Sequence, residues 1–251
     1  MCNSDLNSSI YGDDLAYIHA SGFREFAKQA VGQIVDLLQN LTFPVNTVVD
    51  IGCGAGDSSR ALIDAGFQVI AVEPSVALLE IAQKTAPEAK FVHDSAFGLD
   101  VPPCDAVIAV GEPLTYHKPG TDAPARLRRF FKAVHAALSP NGMLIFDLIV
   151  FGKEPLTKRS WSMGDDWAVL VEVTEDRQSN CLTRDITTFR KNGKQYRRSR
   201  EKHSVHVFDE CEVAKWLAEV GFDTQVDSRY GSVQLLSRRR AFLATSQSTI
   251  E

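Results

Sequence analysis

The sequence predicts an α/β fold: a doubly wound, mostly parallel seven-stranded sheet with an antiparallel β insert after its fifth strand. Up to about residue 150, continuous apolar runs alternate with amphipathic helical patterns, which is typical of a parallel sheet covered on both faces. Hydrophobicity then takes a period of two, which indicates antiparallel strands packed on one face. A helix and two further strand patterns follow residue 208 and complete the sheet.

The individual elements follow in order along the chain. An apolar stripe from Phe23 to Leu41 predicts a helix that ends at Pro44. Strands of the main sheet are expected at about 47–51, 68–72, 90–92, 105–110, 143–150, 223–227 and 241–245, with helices between them. The insert is expected to hold three strands, near 167–174, 182–190 and 196–208, with a hairpin turn at Asn192-Gly193.

This order of elements predicts two parts. Residues 1–150 and 209–251 are expected to form the cofactor-binding domain, with the N-terminal segment 1–42 as a lid. Residues 151–208 are expected to form an insert that covers the substrate. The chain has 251 residues, of which 44% are hydrophobic, and this is enough for one sizeable core.

Composition narrows the class of function. The net charge of −5 argues against a general nucleic-acid binder, and no apolar run reaches the roughly 18–20 residues that span a membrane. The five cysteines are scattered without a C-x-x-C pair, so neither a disulfide framework nor a metal site is expected. This usage favours a reduced, cytoplasmic compartment. The sequence leaves the oligomeric state open between monomer and homodimer.

One short segment carries most of the functional information. An apolar run ends at Asp50, and a turn with glycines at 52, 54 and 56 follows it in the pattern D-x-G-x-G-x-G. Glycines let a ligand approach the backbone closely, and the helix that follows presents free N–H groups. A dinucleotide fingerprint, G-x-G-x-x-G, would need a small residue at position 57, where the chain has Asp57.

A second acid supports a nucleoside ligand. Glu73 ends the second predicted strand, 23 residues after Asp50. A carboxylate at this position can accept hydrogen bonds from both ribose hydroxyls, and such a charge-assisted bond contributes about 1.5–3 kcal/mol. NAD-binding proteins use the same acid, so Glu73 predicts a ribose without choosing the cofactor.

The glycine pattern resembles motif I of the class I S-adenosylmethionine-dependent methyltransferases. Further stretches are similar to bacterial small-molecule methyltransferases that share no assigned substrate, namely 14–19, 103–107, 165–170 and 196–199. The resemblance implies S-adenosylmethionine as cofactor. By this resemblance, Gly52 and Gly54 contact the methionine half of the cofactor, and Asp50 orders the turn or reaches the cofactor through water. Glu73 binds the ribose, Leu78 packs on the adenine face, and Asp94 and Ser95 meet the adenine edge. The loop that starts at Gly111 lies beside the sulfonium.

Catalytic residues are harder to choose, because methyl transfer needs alignment above all and a base only for a protonated acceptor. We favour Tyr11 and His19, since the N-terminal segment of this fold often closes over the cofactor. Glu112 could pair with a cationic acceptor or the sulfonium, or it could only cap its loop. Further candidate bases are Tyr17, Tyr116, His117 and His203. The loop Glu112-Pro113-Leu114-Thr115 departs from the Asn/Asp-Pro-Pro-aromatic tetrad of nucleic-acid amine methylases.

The leading hypothesis is therefore S-adenosylmethionine-dependent methyl transfer to a small-molecule acceptor by in-line displacement. Two alternatives stay open at this point. One is an NAD-dependent oxidoreductase, against which Asp57 and the lack of a hydride-transfer site argue. The other is a non-catalytic, S-adenosylmethionine-binding module that regulates a partner.

Overall fold

The structure is a computed structural model that describes residues 10–118 and 120–247. Its helices are α1 (Asp13–Gly22), α2 (Arg24–Gln39), α3 (Asp57–Asp64), α4 (Val76–Thr85), α5 (Ala123–Ala137) and α6 (Glu210–Val220). Its strands are β1 (Thr47–Ile51), β2 (Gln68–Val72), β3 (Lys90–Val92), β4 (Cys104–Ala109), β5 (Leu138–Ile149), β6 (Thr157–Met163), β7 (Trp167–Asp176), β8 (Cys181–Asn192), β9 (Gln195–His206), β10 (Phe222–Asp227), β11 (Arg229–Tyr230), β12 (Val233–Gln234) and β13 (Arg239–Ser246).

The main sheet has seven strands in the order β10-β13-β5-β4-β1-β2-β3. Only β13 runs antiparallel to its neighbours; the other pairings are parallel, which confirms the predicted fold class. The strand order reverses at β1, which pairs with β2 on one side and with β4 on the other. Ligands of open α/β sheets bind beyond the carboxyl ends of the strands at such a point.

Apolar side chains cover both faces of this sheet. Helix α2 buries Ala30, Val31, Ile34 and Leu38 on one face, and α5 buries Leu127, Phe130, Phe131 and Val134 on the other. Each fully buried Val, Leu, Ile or Phe side chain contributes about 1.5–3 kcal/mol relative to exposure. Packing on both faces therefore stabilises the sheet, and the strand ends hold the loops that follow them in defined positions.

The insert forms a separate antiparallel sheet in the order β6-β7-β8-β9. The prediction of three strands was wrong by one, because β6 has no alternating apolar pattern. It is an edge strand with Lys158 and Arg159, and its side chains are almost all exposed; charged residues on an edge discourage further strand pairing. The inner face packs Trp167, Val169 and Ile186 against α1, while Trp161 is 71% exposed.

Three further elements differ from the sequence prediction. Helix α1 was not predicted, although it buries Leu15, Ala16 and Ile18. Strand β5 begins at Leu138, and not near residue 143 as expected, because Leu138 pairs with Cys104 before a register shift. The hairpin of β11 and β12 has only two residues in each strand, too few for a detectable pattern. Among the described residues, no helix has the length and apolar character needed to cross a bilayer.

Candidate methyl-transfer site

The glycine turn after β1 has a conformation that other residues rarely adopt. Gly52, Gly54 and Gly56 have φ angles of 66°, 57° and 86°. A Cβ on Gly52 would lie 2.5 Å from Cβ of Pro113, and one on Gly56 would lie 2.9 Å from Cα of Ala82. The turn therefore requires glycine both for its φ angles and for the close approach of its neighbours.

Asp50 links this turn to helix α3 by hydrogen bonds. Its Oδ2 atom accepts hydrogen bonds from the hydroxyls of Ser58 and Ser59, both at 2.6 Å. Burial raises the pKa of Asp50 to about 6, although the two hydroxyls act in the opposite direction. The geometry favours turn ordering over the water-mediated contact that the sequence left open.

Glu73 lies at the end of β2, beside the glycine turn. It is 4% exposed, and its carboxylate accepts hydrogen bonds from the N–H groups of Gly54 at 3.0 Å and Ser75 at 2.9 Å. Burial raises the pKa of Glu73 to about 7, with a smaller contribution from the charge of Asp50, while the two N–H groups oppose the shift. Leu78, in the first turn of α4, is buried close by.

The residues predicted for the adenine edge follow β3. Asp94 Oδ1 accepts a hydrogen bond from the N–H of Ser95 at 2.6 Å. A Cβ on Gly98 would lie 2.5 Å from the same oxygen, so the loop closes tightly on Asp94. Both predicted residues are half-buried, next to the strand end that bears Glu73.

Gly111 opens the loop after β4, on the other side of the switch point. Its φ angle is 89°, and its N–H donates to Asp147 Oδ1 at 2.7 Å. A Cβ built on Gly111 would meet no atom within 4 Å, so the backbone here faces open space. These features fit a ligand made of an adenosyl group and an amino-acid tail: the buried Glu73 at the ribose position, the apolar Leu78, and the open space at Gly111 next to the glycine turn.

The N-terminal segment lies over this cradle. The carbonyl oxygen of Tyr11 accepts a hydrogen bond from Ser75 Oγ at 2.7 Å, and its ring packs edge-on against His19 with centroids 5.2 Å apart. His19 Cε1 lies 3.7 Å from the position of a Cβ on Gly54. Burial lowers the pKa of His19, and its Nδ1 atom is buried without a hydrogen-bond partner among the described residues. The structure thus brings both favoured candidates to the glycine turn.

Glu112 lies at the centre of a buried charge cluster. It is 2% exposed, and its carboxylate forms ion pairs with Arg184 of the second sheet and, at 3.0 Å, with Arg239 of β13. Arg239 also lies 3.7 Å from Asp147 Oδ2. Two guanidinium groups therefore already balance the charge of Glu112, and a cationic acceptor would have to compete with them.

Two tyrosines extend this cluster toward the N-terminal segment. Arg184 Nη1 donates to the hydroxyl of Tyr116 at 3.3 Å, and the Tyr116 and Tyr11 hydroxyls are also 3.3 Å apart. Burial raises the pKa of Tyr11 well above its usual range and raises the pKa of Tyr116. Both side chains are therefore neutral phenols, which can donate a hydrogen bond but do not supply a phenolate base.

Of the remaining candidate bases, His203 lies at the site, whereas Tyr17 and His117 lie outside it. His203, on β9, packs against the rings of Tyr11 and Tyr116. Tyr17 donates to Asp166 at 2.7 Å instead, and the ring of His117 packs against His206, away from the cluster. Within residues 10–118 and 120–247, no group of three His, Cys, Asp or Glu residues is placed to hold a metal.

Sequence analysis did not assign four side chains of this site: Asp147, Arg184, Arg239 and Glu201, whose carboxylate accepts hydrogen bonds from the N–H groups of Tyr11 and Gly12. Asp147 was visible in principle, because it is the one acid in the apolar run 143–150. It is fully buried, where burial raises its pKa to about 6, and it also accepts a hydrogen bond from the Tyr230 hydroxyl at 3.0 Å. The other three belong to charged stretches that resemble an ordinary solvated surface.

Comparison with known proteins defines the class. Residues 48–142, from β1 to the first part of β5, match the family described as a methyltransferase domain. The putative methyltransferase YqeM of Bacillus subtilis is 27% identical over 184 residues, which cover 70% of this chain and 72% of that protein. The family match and this relative support an S-adenosylmethionine-dependent methyltransferase, and the fold has the class I architecture.

Solved structures share this fold over most of the chain. An S-adenosylmethionine-dependent methyltransferase from Clostridium acetobutylicum superimposes with a TM-score of 0.78 at 18% identity, covering 93% of this chain and 98% of that one. CalS10 from Micromonospora echinaspora, an amino pentose methyltransferase, gives 0.73 at 17% identity, covering 95% and 98%. At these identities the likeness concerns the fold.

Proposed function

We propose that this protein transfers the methyl group of S-adenosylmethionine to a small-molecule acceptor. In this proposal, residues 1–150 and 209–251 bind the cofactor, and the insert 151–208 covers the acceptor. The observation that most directly supports this proposal is that three separate parts of the chain meet at the strand ends. They are Tyr11 of the N-terminal segment, Tyr116 of the loop after β4, and Arg184 of the second sheet. A site enclosed in this way suits a small molecule.

The side chains have distinct parts in the proposed reaction. S-adenosylmethionine supplies a methyl group on a positively charged sulfur. Glu73 would hold the ribose, Leu78 would pack on adenine, and the turn with Gly52 and Gly54 would receive the amino-acid tail. Holding donor and acceptor in line can supply about 7–11 kcal/mol of the barrier. Tyr11 would close the site against water and orient the acceptor with a neutral hydroxyl.

Amino sugars are the first acceptor class to test, because CalS10 is an amino pentose methyltransferase that superimposes on 95% of this chain. The class also suits an enclosed polar site, since sugar hydroxyl oxygens can accept hydrogen bonds from the Arg184 guanidinium and an unprotonated amine can bond to the tyrosine hydroxyls. Radiolabelled S-adenosylmethionine with a panel of amino sugars, other amines and phenols would reveal the acceptor.

Cofactor binding tests the proposal before any acceptor is known. By titration calorimetry, S-adenosylhomocysteine should bind, and Glu73→Ala should weaken binding roughly 10–100-fold, in line with about 1.5–3 kcal/mol for a charge-assisted hydrogen bond. The matched control Glu172→Ala removes an exposed carboxylate on β7 that pairs with Arg159 and should leave affinity unchanged. The proposal would be contradicted if the folded protein did not bind S-adenosylhomocysteine, or if it bound NADH instead.

A further inference from the structure

We infer that His203 is the proton acceptor for the methyl-transfer step and that Glu201 is its positioning residue. The inference rests on the proposed function, which it deepens by requiring an acceptor with an N–H or O–H group that loses its proton. His203 lies on the inner face of β9, in the insert, far in sequence from the glycine turn.

The contacts of His203 leave one ring nitrogen free. The side chain is 1% exposed, and its Nε2 atom lies 2.9 Å from Glu201 Oε2. A carboxylate accepts hydrogen bonds, so Nε2 carries the hydrogen and Nδ1 presents a lone pair. Nδ1 is buried without a hydrogen-bond partner among the described residues. An unsatisfied buried polar atom costs about 1–3 kcal/mol, which a ligand at this position would offset.

The surroundings of the ring are those of the proposed acceptor site. Tyr11 and Tyr116 flank the imidazole, with centroids 5.2 and 5.8 Å away, and Arg184 stands directly opposite His203 in the β8–β9 register. The charged or titratable groups around it are thus Glu201 on its own strand, Arg184 on β8, Tyr116 in the loop and Tyr11 in the N-terminal segment. Glu201 is the group among them that can stabilise an imidazolium.

Glu201 also joins this imidazole to the N-terminal segment. Its Oε2 atom accepts a hydrogen bond from the N–H of Tyr11 at 2.9 Å, and its Oε1 from the N–H of Gly12 at 3.0 Å. The carbonyl of Tyr11 in turn accepts from Ser75 in the cofactor cradle. The orientation of His203 is therefore fixed when the N-terminal segment lies over the cradle.

The proposed step balances as follows. A lone pair on the acceptor nitrogen or oxygen forms the new bond to the methyl carbon, while the carbon–sulfur bond breaks and its electron pair returns to sulfur. The acceptor's proton passes to Nδ1 of His203, and the resulting imidazolium is stabilised by Glu201. Water later removes the proton from His203.

The test measures S-adenosylhomocysteine formation from S-adenosylmethionine, with the amino sugar glucosamine and with water alone as acceptor. His203→Asn and Glu201→Gln should lower the rate about 100-fold or more, the usual contribution of a general base. His206→Gln, on the opposite face of the same strand, should behave as wild type.

A second readout does not depend on turnover. The ¹H–¹⁵N NMR spectrum of the histidine rings in the S-adenosylhomocysteine complex should show His203 with hydrogen on Nε2 only, and Glu201→Gln should change this signal. Equal rates in wild type and in folded His203→Asn, whether both high or both at the protein-free level, would overturn the inference. Intact S-adenosylhomocysteine binding in such an experiment would leave the proposed function standing.

Discussion

At the scale of single residues, Glu73 shows what sequence and structure each contribute. Its place at the end of the second strand was predictable, because the pattern of apolar runs and glycines fixes where strands end. Its protonation was not predictable, because that depends on how deeply the folded chain buries the carboxylate. The pKa of about 7 leaves Glu73 partly protonated at neutral pH, whereas ribose hydroxyls bind best to the ionised carboxylate.

Cofactor binding should therefore depend on pH through Glu73. Ribose hydroxyls favour the charged form, so binding lowers the pKa of Glu73 and releases protons near pH 7. The affinity for S-adenosylhomocysteine should rise from pH 6 to pH 8 and then level off. Calorimetry in two buffers of different ionisation enthalpy measures the release, and Glu73→Gln should abolish it. Proton uptake in the wild type, or equal release in the variant, would count against the ribose role.

At the scale of elements, the sequence predicted the helices that bury a regular apolar stripe, such as α2 and α5. It missed the elements that depend on tertiary contacts. Helix α1 is the clearest case, because it buries a charged residue, Asp14, together with its apolar ones. That carboxylate accepts a hydrogen bond from Arg197 Nε and another from Ser199 Oγ, each at 2.7 Å. Both partners lie on β9, about 180 residues away, which no local pattern reveals.

This ion pair should hold the N-terminal segment over the cofactor. The Arg197 guanidinium holds the pKa of Asp14 below its usual range, so the pair is intact at neutral pH. Arg197→Ala should speed the dissociation of S-adenosylhomocysteine a few-fold and no more, because solvent weakens an ion pair that is partly exposed. Stopped-flow displacement measures the rate. Arg200→Ala is the control, since Arg200 pairs with Asp185 on the outer face; equal rates in both variants would contradict this function of α1.

At the scale of the whole molecule, one cluster connects the two sheets. Glu112 belongs to the loop after β4, Arg184 to the second sheet and Arg239 to the last strand of the main sheet. The sequence could suggest that Glu112 has a charged partner, but it could not choose one among 27 lysines and arginines. That choice depends on the docking of the second sheet, which also explains why the three residues were not assigned together.

Breaking this cluster should destabilise both sheets at once. Glu112→Gln leaves two largely buried guanidinium groups without their shared carboxylate, and the loss of one partner of a buried ion pair costs about 3–5 kcal/mol. Urea unfolding should show this loss in both far-UV circular dichroism and tryptophan fluorescence, because Trp161 and Trp167 lie in the second sheet and Trp216 lies in α6. Coincident transitions are expected. The exposed control Glu172→Gln should leave the midpoint unchanged, and an early fluorescence transition in the wild type would show that the second sheet unfolds independently of the first.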